Sequence, residues 1–241
     1  MSKKSCLITT LIIVCVTVIL LCSGALYFNY LWYRAWHRTP EEIEAFEIER
    51  MQRSIDNSRE SGRLILYPDF WYGAPEFYAT KQFQMIRDLK GIRSFECCGY
   101  LKVPVPAESV AAISTLTDLE EIHMMNMLFE DQALLALQDL PKLNKISFYG
   151  CTVDDISLRH IGQFGQIESL KILCPMPFTG SNETVHRIDP EMQRRYVESL
   201  CRFKHLKNLH LHECFRSDDE TLRQHLPDTN ITYVEIGIDI P

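Results

Sequence analysis

The chain has 241 residues, enough for one or two domains with a sizeable core. Apolar residues make up 46% and charged residues 24%, the balance of an ordinary folded chain. The net charge of −7, with no run of Lys or Arg, argues against a general nucleic-acid binder, because phosphate binding needs a basic face.

From Ser5 to Tyr33 no residue is charged. A membrane-spanning helix needs roughly 20 apolar residues, and this run is long enough. Lys3 and Lys4 precede it, and Tyr27, Tyr30, Trp32, Tyr33 and Trp36 gather at its far end as an interfacial aromatic belt would. The expectation is an N-terminal transmembrane anchor, residues 1–36, embedded through residues 7–33. The competing reading is a signal peptide cleaved after Ala25, since Ser23-Gly24-Ala25 meets the small-residue rule. The apolar run continues past that point, and a removed peptide needs no aromatic belt, so the retained anchor is preferred. A short basic tail stays in the cytoplasm, which places the rest of the chain on the non-cytoplasmic side of a single-pass membrane protein.

Residues 37–60 read as a juxtamembrane helix. Thr39 caps it, Pro40 takes the first turn, and Glu41 and Glu42 sit at its positive end. Ile43, Phe46, Ile48, Met51 and Ile55 form a loose apolar stripe. Residues 61–88 are aromatic-rich and broken by Pro68, Gly73 and Pro75. They read as an irregular segment or short hairpin that caps the open apolar end of the domain after it.

Between residues 89 and 241 one spacing recurs, apolar-x-x-apolar-x-x-apolar-x-apolar. It fits Leu89-Ile92-Phe95-Cys97, Leu116-Leu119-Ile122-Met124, Leu140-Leu143-Ile146-Phe148, Phe164-Ile167-Leu170-Ile172 and Phe203-Leu206-Leu209-Leu211. With two extra residues it also fits Leu226-Ile231-Val234-Ile236. The third apolar places fall at 95, 122, 146, 170, 209 and 234, in steps of 27, 24, 24, 39 and 25. Between them, Val110-Ile113-Leu116, Leu134-Leu137-Leu140, Leu158-Ile161-Phe164 and Val197-Leu200-Phe203 share a three-residue apolar spacing. Helix starts are expected at Asp154-Asp155, Asp189-Pro190-Glu191 and Asp218-Asp219-Glu220. Each unit is then strand, turn, short helix. One unit cannot bury its apolar side alone, but stacked units can.

This pattern, with Thr152-Val153-Asp154-Asp155-x-x-Leu158-x-x-Ile161, resembles the leucine-rich repeat superfamily, in particular bacterial-type members with about 24-residue repeats. The resemblance implies an α/β leucine-rich repeat solenoid, with parallel strands on a concave face and short helices on a convex one. It also implies protein interaction rather than catalysis. In that family the third residue after the strand pair turns inward to line a ladder beneath the strand ends. Cys151 and Cys214 hold that place, as small apolar residues with a weak hydrogen bond. Tyr100, Met127 and Pro175 hold it in other units.

The outward columns of such a sheet read Glu96, His123, Ser147, Lys171, His210, Glu235 and, beside it, Cys98, Met125, Tyr149, Leu173, His212, Gly237. Strands lie roughly 4.8 Å apart, so column neighbours touch. Met125, Tyr149 and Leu173 are expected to form an exposed apolar stripe, the kind of patch that marks an interface. An insertion near 175–189 offers Phe178 as a further contact. The candidate partner-binding residues are therefore His123, Met125, Tyr149, Lys171, Leu173, Phe178, His210 and His212. No metal is expected, because Lys171 beside His210 repels a cation and C-x-x-C spacing is absent. No cofactor is expected either. There is no Gly-x-Ser-x-Gly, phosphate-binding glycine loop or His-Glu-x-x-His, so no enzyme is expected. The expected function is a membrane-tethered protein-interaction module whose partner is a protein of unknown identity. A structural scaffold without a specific ligand is the alternative, and an unrecognised enzyme a weaker one.

Overall fold

The computed structural model describes residues 39–66, 83–99, 104–129, 133–153, 155–173 and 190–234. The chain divides into two compact units, 1–46 and 47–241. Of the first, only the opening turns of helix α1 (Pro40–Ser61) are described. Its N-terminus is a reciprocal cap: the Glu42 backbone N–H donates to Thr39 Oγ1 at 3.3 Å, and the Thr39 N–H donates to Glu42 Oε2 at 3.0 Å. Two of the donors that a helix start leaves orphaned are thereby satisfied.

The second unit is α/β, built on a sheet of seven parallel strands. In chain order the elements are β1 (Arg63–Leu66), β2 (Ser94–Cys98), β3 (Pro104–Val105), α2 (Ala107–Ile113), β4 (Glu121–Met125) and β5 (Leu128–Phe129). A 3-10 helix, η1 (Ala133–Asp139), β6 (Lys145–Tyr149), α3 (Asp155–Ile161), β7 (Ser169–Leu173) and α4 (Pro190–Leu200) follow. The last are β8 (Asn208–His212), a second 3-10 helix, η2 (Glu213–Asp218), α5 (Asp219–His225) and β9 (Asn230–Val234). The sheet order is β1-β2-β4-β6-β7-β8-β9, so each strand lies beside its predecessor in this sheet. Strands β3 and β5 pair in parallel separately, and an isolated bridge joins Leu128 to Thr152.

Burial alternates fully along β4, β6 and β8 and over most of β2 and β7, because successive side chains leave opposite faces of the pleat. Phe95, Ile122, Ile146, Leu170, Leu209 and Ile231 are paired across the sheet and buried, as are Cys97, Met124, Phe148, Ile172 and Leu211 two residues on. Helical segments cover this face. Ser109, Ala133 and Ser157, each just before an apolar anchor of its segment, are all buried where α2, η1 and α3 adjoin. Small side chains there let neighbouring helical segments approach closely.

A repeated backbone device sets the register. One carbonyl ahead of each strand accepts two N–H groups from the next unit. Gly62 O takes Arg93 N (2.8 Å) and Ser94 N (3.0 Å), and Arg93 O takes Glu120 N and Glu121 N. Glu120 O, Asn144 O and Glu168 O repeat the pattern, and Lys207 O receives Asn230 N. Since β1 joins this series through Gly62, it is a full member of the sheet, although the sequence pattern leaves residues 61–88 without a repeat strand. Helix α1 ends where Gly62 enters the left-handed region (φ +68°) and its N–H reaches Ser58 O at 2.8 Å. The sequence pattern sets residues 37–60 apart from the repeats, yet Met51 and Ile55 of α1 are buried in the core and the Ser54 hydroxyl donates to Ile65 O of β1.

One strand register is corrected within the repeats. Ile231, not Val234, pairs with Leu209, so the last strand starts three residues early and the final step is 22 residues. Asn230 N reaching Lys207 O and Thr229 Oγ1 donating to Leu206 O (2.7 Å) hold that register. The short helical segment expected after β5 is the 3-10 helix η1 (Ala133–Asp139). The helix starts expected at Asp155, Pro190 and Asp219 are observed. Among the described residues no helix is long and apolar enough to cross a membrane. The anchor expected at residues 7–33 lies outside them.

Candidate functional site: the open face of the sheet

The side chains that alternate away from the core line the second face in three columns. The middle column is Ile65, Glu96, His123, Ser147, Lys171, His210 and Thr232, aligned by strand pairing. Thr232 takes the place expected for Glu235, which, with Gly237 and Phe178, lies outside the described residues. All seven side chains of this column are half-buried.

Charge on this face is mostly compensated at the β1 to β6 end. Arg63 is ion-paired with Glu96. Glu121 lies 3.7 Å from His123 Nε2 and 4.0 Å from Lys145 Nζ. Toward β8 the pattern changes, because Lys171 has no ion pair or hydrogen bond among the described residues. His210 shares a hydrogen bond between its Nδ1 and Thr232 Oγ1. Burial, followed by the positive charge of Lys171, holds His210 below the usual histidine range.

The third column brings Cys98, Met125, Tyr149 and Leu173 into register. The expected three-residue exposed stripe is only partly formed. Tyr149 is 38% exposed, Met125 is half-buried, and Leu173 is 5% exposed while standing outside the main core cluster. Leu173 is therefore not available as an open contact. His212 serves the backbone instead of the open face, since its Nδ1 accepts the Cys214 N–H at 3.2 Å and caps η2. That bond places the ring proton of the neutral form on Nε2.

The post-strand cysteines differ from one another. Gly150 occupies the left-handed region (φ +60°), as Asn126 does at the equivalent place after β4 (φ +52°). This turn sends Cys151 inward, where it is 1% exposed and its thiol donates to Met124 O at 3.2 Å. Burial pushes the Cys151 thiol up to about 12, and Cys97, also wholly buried, is raised further. Cys214 lies in η2 and is half-buried, so it does not share the Cys151 environment. The sequence shows the spacing but not the different backbone exits.

Among the described residues no group of three His, Cys, Asp or Glu side chains could hold a metal ion, and no hydrogen bond links Ser147 to His123 or Lys171. Sequence reasoning missed the side chains around Lys171: Ser169 and Asn208, one column over, pair across β7 and β8. Their signal is the register itself, since both sit two residues before a middle-column position. No protein-family profile matches the chain, and a comparison with curated proteins finds no significant match.

Proposed function

We propose that this chain is a leucine-rich repeat solenoid on an N-terminal membrane anchor, and that it binds a protein partner through the open face of its parallel sheet. One observation carries the reading: seven parallel strands in register present aligned columns, with Tyr149 exposed beside half-buried Met125 and with Lys171, unpaired among the described residues, nearby. An exposed aromatic flanked by polar groups is the surface favoured at interface cores. The candidate contacts are His123, Met125, Tyr149, Lys171 and His210. The uncharged run from Ser5 to Tyr33 supports the anchor.

A photo-crosslinking residue at position 149 of the full-length chain, expressed in its native membrane, tests this. A discrete adduct that is lost with Met125→Ser supports the proposal. An adduct pattern unchanged by that substitution, or equal to that of a crosslinker placed on the helical side at position 163, rejects it.

A further inference from the structure

The open face is not uniformly solvated polar surface. Its basic residues toward β1 are matched: Arg63 to Glu96, and Lys145 with His123 to Glu121. Lys171 has no acid. The residues beside it in register are Ser147 on β6 and His210 on β8, and one column over are Ser169 and Asn208. Among the described residues, the side chains of Ser147, Ser169 and Asn208 make no hydrogen bond. Burial, and then the charge of Lys171, hold His210 below its usual range, which disfavours a second positive charge there. The patch thus offers one positive charge and several uncommitted hydrogen-bond donors, on strands spaced roughly 4.8 Å apart. Tyr149 lies one strand away and two residues further along.

We propose that Lys171, with Ser147, Ser169, Asn208 and His210, forms a subsite for one carboxylate side chain of a polypeptide partner, whose neighbouring apolar residue meets Tyr149 and Met125. This deepens the reading of the open face as a protein-binding surface and rests on it. The charge count favours this occupant. A single uncompensated cation matches a single carboxylate, whereas a phosphate dianion needs more positive charge. A polyanion also meets a chain of net charge −7. Serine and asparagine supply the donors that complete an ammonium–carboxylate contact.

The test is a selection of random peptides displayed on phage against the full-length chain in detergent micelles. Enriched peptides are remade synthetically and titrated onto wild type, Lys171→Glu and Tyr149→Ser. The expected peptides carry Asp or Glu beside an apolar residue. They should bind Lys171→Glu about fivefold more weakly or worse, the upper end of an exposed charge pair. Replacing the peptide acid by its amide should cost about the same on wild type and nothing more on Lys171→Glu. If the amide peptide loses equally on both proteins, or if acids are not enriched, the carboxylate subsite is wrong while binding that is lost with Tyr149→Ser keeps the open-face reading. Peptides indifferent to Tyr149→Ser, or no enrichment on folded protein, reject both. Lys171→Gln replaces the charge reversal if that variant has a lowered unfolding midpoint.

Discussion

Alkaline destabilisation through Cys151 is the sharpest test of the post-strand turn. The thiol is 1% exposed, and burial raises it from 9.0 to about 12. The folded state therefore keeps a proton that the unfolded chain releases above 9.0, so rising pH favours unfolding. Stability from this group is fully present below 9.0 and is lost as pH climbs toward 12. At about pH 10 the unfolded thiol is some tenfold more ionised than not, while the folded thiol is nearly all protonated. That difference amounts to about 1.4 kcal/mol relative to neutral pH. Urea unfolding followed by far-ultraviolet circular dichroism, at about pH 8 and about pH 10, reads it. Cys151→Ala should be destabilised by about 1–3 kcal/mol at the lower pH, because it loses the hydrogen bond to Met124 O and leaves a small void. It should then lose about 1.4 kcal/mol less than wild type on going to the higher pH. Cys97 is common to both proteins and cancels in the difference. Equal losses in the two proteins would refute the inward placement of Cys151.

Two further outcomes use the same unfolding assay. Gly150→Ala should cost about 1–2 kcal/mol for a side chain at positive φ, and its Cβ would stand 2.4 Å from Asn126 Oδ1, so that amide must also turn away. In an Asn126→Gly background only the first part should remain, and a neutral Gly150→Ala would show that the exit from β6 is not left-handed. Tyr149→Ser should shift stability by no more than about 0.5 kcal/mol, whereas Leu173→Ser should cost about 1–3 kcal/mol because its side chain is buried; equal effects would place both on the same kind of surface.

The strands β2, β4, β6, β7 and β8 are legible in the sequence because a fully buried side chain must be apolar and the pleat alternates. Phe95, Ile122, Ile146, Leu170 and Leu209 therefore announce both the strand and its register. Strand β1 escapes this reading. It has only Leu64 and Leu66 as inward residues, and Phe95, the partner of Leu64, lies 31 positions further on. The last strand is ambiguous for another reason: Ile231-x-Tyr233 and Val234-x-Ile236 both alternate, and local pattern cannot rank them. The backbone donor of Asn230 and the Thr229 hydroxyl choose the first.

The candidate site divides in the same way. Which residues share a column follows from the spacing alone, and the sequence determines that His123, Ser147, Lys171 and His210 stand in one row. Whether a column member is open was decided by tertiary structure. Tyr149 and Leu173 occupy equivalent places in consecutive units, yet one is 38% exposed and the other 5%. Pairing of charge is likewise three-dimensional: Arg63 finds Glu96 across 33 positions, while Lys171 finds no acid among the described residues. Periodicity specifies direction from the backbone. Burial and charge compensation depend on what the rest of the chain brings alongside, and no repeat pattern encodes that.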